Sequence, residues 1–144
     1  MRSIERFTPV ETRQPWGTET LLAEGPGYTL KLLFYTGGKS GGLQYHICKT
    51  ESFYIISGKG TVRYDDGNGK LTETPVRAGE PSIHIPAGTP HQFYAISDCL
   101  VVEASTPGSN DRVNVAARYG RQPSPHDLPT TWSDEEIAAF EESL

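Results

Sequence analysis

Ser52-Phe-Tyr-Ile-Ile-Ser-Gly58-Lys-Gly60-Thr-Val-Arg-Tyr-Asp65-Asp-Gly-Asn-Gly69-Lys-Leu-Thr-Glu-Thr-Pro-Val76 holds three short runs rich in β-branched and aromatic residues, separated by glycine and by a turn. Asp66-Gly67-Asn68-Gly69 is a strong hairpin turn, because these residue types tolerate positive φ. The same pattern extends in both directions, from Thr18 to Ser105, with Gly and Pro at spacings of about eight to twelve residues. Strands are predicted over 19–23, 28–35, 42–47, 52–57, 60–65, 70–76, 82–85, 91–96 and 100–104. No helical pattern of ten or more residues interrupts them, which disfavours a parallel α/β architecture. An all-β sandwich or barrel is the expectation.

The C-terminal part reads differently. Residues 121–129 carry three prolines and predict an extended surface connection, in which His126 is solvated. Ser133 followed by Glu136 is a capping box, and Trp132 is placed to pack on Ile137 as a hydrophobic staple. A short helix over about 134–143 follows. Its acidic first turn suits the helix dipole, whereas Glu141 and Glu142 at the other end do not. At 144 residues the chain is expected to be a single domain, with its core within 13–121 and the tail and helix in 122–144.

Charge and composition narrow the function classes. The net charge is −5, and five acids fall in the last eleven residues, so the remainder is neutral. There is no Lys/Arg block to grip nucleic acid or an anionic membrane. Cys48 and Cys99 are isolated thiols, as in a reducing compartment, and the first residues have no apolar signal run, so a cytoplasmic location is expected. A domain of this size buries roughly two-thirds of its unfolded surface without staples, so a metal would serve function rather than folding.

Chemistry-bearing residues concentrate in Gly38-Lys-Ser-Gly-Gly-Leu-Gln44-Tyr-His46-Ile-Cys48-Lys49-Thr-Glu51 and in Gly79-Glu-Pro-Ser-Ile-His84-Ile-Pro86-Ala-Gly88-Thr-Pro-His91. Along a strand Gln44, His46 and Cys48 share a face. If His91 opens a neighbouring strand, two imidazoles, the Glu51 carboxylate and an amide oxygen form a first shell for one divalent ion: Zn, Mn, Fe, Ni or Co. The bland alternative is a hydrogen-bonded polar patch at a barrel mouth. Cys48 reads as a small buried hydrophobe more often than as a ligand, and His84 as an ordinary strand residue. Lys31 alternates with Leu30, Leu32 and Phe34, so it enters either the lumen or solvent; Lys49 and Arg63 pose the same question.

At these residues the chain resembles the cupin superfamily. Gly38-x5-Gln44-x-His46-x4-Glu51-x6-Gly58 is similar to the first cupin motif with Gln for the first His, and Gly79-x6-Pro86-x-Gly88-x2-His91-x3-Ala95 is similar to the second. Pro15-Trp16-Gly17, Leu43-Gln44-Tyr45-His46, Ile85-Pro86-Ala87-Gly88-Thr89-Pro90-His91, Val102-Glu103 and Tyr119-Gly120-Arg121 further resemble the cupin domain of type II mannose-6-phosphate isomerases. Where that family reads Ile-Val-Arg, this chain has Arg112-Val113-Asn114, so a cation is absent or displaced. The resemblance implies a jelly-roll barrel, a homodimer, Gln44 rather than Cys48 as ligand, and metal-dependent aldose-ketose isomerisation of a sugar or sugar phosphate. Lys31, Arg63 and Arg121 would then bind substrate, and Lys31 or Lys49 would serve as catalytic base if burial lowers its pKa. Two further classes fit the same shell: an Fe(II) dioxygenase acting on a small organic molecule, and a sugar-binding cupin without chemistry.

Overall fold

The computed structural model describes residues 3–107, 111–124, 127 and 130–144; His126 of the tail lies outside them. Two antiparallel sheets face one another, the jelly-roll arrangement expected from the run of short strands. The first contains β1 (Val10–Gln14), β2 (Gly17–Gly25), β3 (Tyr28–Tyr35), β10 (Cys99–Ser105), β5 (Glu51–Ser57) and β8 (Ile83–Ile85), in the spatial order β1-β2-β3-β10-β5-β8. The second contains β11 (Arg112–Asn114), β4 (Gln44–His46), β9 (His91–Ala95), β6 (Lys59–Asp65) and β7 (Leu71–Arg77), in the order β11-β4-β9-β6-β7. Among the described residues no helix is long and apolar enough to cross a membrane.

Alternation sets what lies between the sheets. Leu33 and Tyr35 on β3, Phe53 and Ile55 on β5, Val101 on β10 and Val62 on β6 are buried together with Phe93 in one cluster. Their sequence neighbours Phe34, Tyr54 and Ile56 are exposed on the other face. Trp16, before β2, closes this core by stacking on Tyr35 with ring centroids 4.1 Å apart. Gly58 ends β5 at φ +92, where a Cβ would collide with the Asp98 carbonyl, so a side chain there would displace backbone.

The predicted hairpin forms between β6 and β7, and Asp65 organises it. Its Oδ1 accepts the N–H groups of Gly67 (2.8 Å) and Gly69 (3.1 Å), while Tyr119 donates its hydroxyl to Oδ2 at 2.6 Å. These bonds hold the Asp65 carboxyl below its ordinary range, Tyr119 being the largest cause. The helix α1 (Asp134–Glu142) carries the expected capping box, with Ser133 Oγ accepting from Glu136 N–H and the Glu136 carboxylate accepting from Ser133 N–H. Ile137 and Trp132 pack into a second cluster with Leu43, Tyr45, Ile47, Val113 and Val115. Glu141, unsuited to the dipole, is instead a pin. It accepts a hydrogen bond from Tyr45 (2.6 Å) and pairs with Arg118 (2.6 Å). The helix thereby braces the outward side of β4, whose inward side carries Gln44 and His46.

Candidate metal centre

His46 sits at the end of β4, Glu51 at the start of β5 and His91 at the start of β9. Residues 47–50 cross from β4 in one sheet to β5 in the other, and the Pro86-Ala-Gly88-Thr-Pro90 turn delivers β9 from the other motif. Gly88 takes φ +83 and donates its N–H to the His46 carbonyl at 2.7 Å, tying the two motifs together beside the ligands. His46, Glu51 and His91 each present a ligand atom, all within 4.8 Å of one another. Gln44 stands opposite His91 in the β4–β9 register and lines the same cavity, which measures about 320 Å³.

Hydrogen bonding fixes both rings in a ligating orientation. His46 Nδ1–H donates to Asp111 Oδ1 at 2.9 Å, leaving Nε2 as the ring's remaining nitrogen. Burial above all lowers the His46 pKa, so the ring stays neutral, the form that binds metals. Asp111 also accepts the N–H groups of Cys48 (2.8 Å) and Lys49 (2.7 Å) on Oδ2. Burial pushes its carboxyl up, but the His46 bond and these two N–H groups outweigh that and hold it low. His91 Nδ1–H donates to the Thr89 carbonyl at 2.8 Å, so its Nε2 is the atom that faces Glu51 Oε1, also at 2.8 Å. With Nδ1–H already committed, a nitrogen and a carboxylate oxygen at that separation need a proton or a cation between them. This donor set of imidazole nitrogens and carboxylate oxygen fits a divalent metal.

Behind the ligands lies a charge cluster. Lys49 Nζ is 3.0 Å from Glu51 Oε2 and 3.5 Å from Glu103 Oε1, and all three groups are buried. Burial disfavours the Lys49 ammonium, yet Glu103 and Glu51 together raise its pKa above the ordinary value. The condition set for Lys49 as a base, that burial lower its pKa, is therefore not met: two carboxylates outweigh the desolvation, and Lys49 keeps its proton. Burial and then Glu51 push the Glu103 carboxyl up to about 8. Glu51 goes the other way, because hydrogen bonds from His91 and Glu103 and the Lys49 charge overcome its own burial.

The remaining sequence candidates separate cleanly. Lys31 enters the lumen with Leu33 and Tyr35, opposite Glu103 in the β3–β10 register, and pairs with Glu19 at 3.2 Å. Arg63 is not brought to the cavity. Val62 takes the inward position on β6, so alternation turns Arg63 outward, where it bonds Glu73 (2.5 Å) and Gln92 (3.2 Å) and lies over the Tyr94 ring. Arg121 is exposed and does not line the cavity either. Arg112 does, opposite His46 in the β11–β4 register. Ser124 and Asp127 line it as well, so the described part of the tail borders the cavity rather than running free over the surface.

Glu103 and Asp111 are the functional neighbours that sequence reasoning missed. A signal for Glu103 existed: it alternates inward with Val101 and Ser105, a charge at a core position of a strand. Asp111 has no such periodicity around it. Its importance is testable, since a carboxylate that orients a ligating histidine contributes about 10–100-fold to metal affinity. Asp111→Asn is expected to weaken zinc binding by about that factor in a chelator competition. Unchanged affinity would remove Asp111 from the supporting shell.

Comparisons with known proteins agree with this architecture. No curated protein matches the sequence. Among solved structures, the capsular polysaccharide assembling protein CapF from Staphylococcus aureus superposes with a TM-score of 0.66 at 20% identity, over 75% of this chain and 32% of that one. KdgF from Halomonas sp. gives 0.61 at 18% identity, over 71% of this chain and 91% of that one. A mutant of the oxalate decarboxylase OxdC from Bacillus subtilis gives 0.64 at 17% identity, over 84% and 39%. The chain thus spans about a third of CapF, and these likenesses concern the fold. Residues 32–104, half of the chain, match the family described as Cupin domain, and with both motifs folded around one buried His-Glu-His cluster, the chain belongs to the cupin family.

Proposed function

We propose that this cupin is a metal-dependent isomerase that interconverts the aldose and ketose forms of a sugar or sugar phosphate, as its resemblance to mannose-6-phosphate isomerases implies. One observation carries the reading. The His46–Glu51–His91 cluster opens onto a cavity that also contains a buried carboxyl outside the ligand set, Glu103, and a lumen cation, Lys31. Interconversion removes a proton from carbon 2, beside a carbonyl, and returns one to carbon 1. His46, Glu51, His91 and Gln44 would hold a divalent ion, which would supply Lewis-acid polarisation of the substrate carbonyl. Glu103, the buried carboxyl outside the ligand set, takes the proton as a carboxylate and gives it back as the acid. Lys49 is the shared counter-charge of Glu51 and Glu103 and does not act as the base. Lys31 and Arg112 line the cavity as cations for an anionic substituent. The free thiols Cys48 and Cys99 support a reducing, cytoplasmic setting.

The decisive experiment incubates zinc- or manganese-loaded protein with hexoses and their 6-phosphates in D₂O and follows deuterium at carbons 1 and 2 by NMR. Exchange together with ketose formation is the expected result. Tight binding without exchange would replace the reading by a binding cupin, and oxygen consumption with iron by a dioxygenase. Lys31→Ala should raise KM for a phosphorylated substrate about tenfold more than for its unphosphorylated counterpart, the worth of one charge-assisted hydrogen bond. An equal effect on both would take Lys31 out of the phosphate site.

A further inference from the structure

Two tyrosines of this fold end on a carboxylate: Tyr45 donates its hydroxyl to Glu141 and Tyr119 to Asp65, each at 2.6 Å. Tyr35 on β3 does not. It is only 8% exposed, and among the described residues its hydroxyl has no hydrogen-bond partner. Elsewhere in the same cluster the aromatic positions are filled by Phe53 and Phe93. A hydroxyl in such surroundings costs desolvation unless something accepts its proton, so packing alone would favour phenylalanine here. The exposure that Tyr35 keeps is to the cavity of the metal site, which it lines together with Lys31 and Leu33 from the same face of β3.

The ring is firmly placed. Trp16 stacks on it with centroids 4.1 Å apart, and Phe93 packs against it edge-to-face at 4.7 Å. Burial, followed by Glu103, Glu51 and Glu19, pushes the hydroxyl far above the ordinary tyrosine range, so it keeps its proton as a donor. Along β3 four residues separate Tyr35 from Lys31, about 13 Å of strand, so hydroxyl and cation serve different parts of a ligand.

We propose that Tyr35 is a specificity-determining residue of the site: its hydroxyl donates a hydrogen bond to a hydroxyl oxygen of the bound sugar, on the carbon chain between the carbonyl end and the phosphate. This role rests on the sugar-isomerase reading of the site. A sugar supplies the acceptor that the cavity wall withholds, and an analogue lacking that oxygen is rejected because it leaves a buried donor unpaired.

The test pairs a change in the protein with a change in the ligand. Zinc-loaded wild type and Tyr35→Phe are titrated calorimetrically with mannitol 6-phosphate, which has the hydroxyls but no carbonyl to isomerise, and with its 3-, 4- and 5-deoxy analogues. The variant should bind mannitol 6-phosphate about 10–30-fold more weakly, and one deoxy analogue should lose the same factor on the wild type while binding both proteins equally. The melting temperature of the variant should be no lower than that of the wild type, since no hydrogen bond within the protein is lost. Equal binding of mannitol 6-phosphate by both proteins, with deuterium exchange into the aldose intact, would overturn the role of Tyr35 and leave the isomerase reading standing. So would a loss in the variant that no deoxy analogue reproduces, which marks a packing effect. The expected cycle without deuterium exchange would sink the isomerase reading and keep Tyr35 as the determinant of a sugar-binding cupin. A wild type that binds none of the series at about 1 mM would overturn both.

Discussion

His91→Ala will abolish stoichiometric metal binding and leave the barrel folded. The imidazole is one of three donors that come within 4.8 Å of one another, and its Nε2 is the atom that faces Glu51. Losing a group that merely orients a ligand costs about 10–100-fold in affinity, so losing the ligand itself should cost more than 100-fold. Folding is affected far less. The apolar cluster of Leu33, Phe53, Ile55, Val62 and Val101 does not depend on His91, and Glu51 keeps its Lys49 partner. The Thr89 carbonyl loses one hydrogen bond, a cost of about 1 kcal/mol. Elemental analysis after dialysis, with zinc titration calorimetry and a thermal melt, reads both halves of the expectation. Full metal retention would mean that the three side chains meet for another reason.

What the sequence disclosed, and what it withheld, follows from where apolar periodicity is strong. The strands β2, β3, β5, β6, β7, β9 and β10 combine alternation with Gly or Pro boundaries, and each lies within a residue or two of its predicted span. The strand β1, Val-Glu-Thr-Arg-Gln, is an exposed edge that buries no face, so nothing in its composition marks it. β11 is three residues long and is defined by its pairing with β4 rather than by its own pattern. The clustering of His46, Glu51 and His91 was legible because motif residues must recur at fixed spacing to meet. Their supports were not, because Asp111 reaches His46 across 65 positions of chain through a contact that no local rule encodes. For Lys49 the sequence left open both its side of the strand and its charge state, since desolvation favours a lowered pKa and only the folded chain shows two carboxylates opposing it.

That cluster carries the second large expectation. Lys49→Met should destabilise the metal-free protein by about 3–5 kcal/mol, the usual cost of removing one partner from a buried ion pair. With Lys49 in place, the Glu51 carboxylate, the ammonium and the protonated Glu103 make a group of zero net charge near pH 7. Without it, a buried negative charge has no adjacent lysine. The cost must also depend on pH, with a definite sign. Glu103 has its folded pKa above its unfolded one, so its contribution is complete below the unfolded value near 4.5 and is lost as pH rises through about 8. Glu51 is depressed, so its contribution is present above about 4.5 and is lost as pH falls through its folded value. Removing the cation shifts both carboxyls upward, which penalises every ionised form. The deficit should therefore be smallest near pH 5, where the variant can protonate both groups, and should widen through pH 8. Urea unfolding of wild type and variant at those two pH values measures it. A cost that is the same at both, or smaller at the higher value, would show that Lys49 does not neutralise the carboxylate pair.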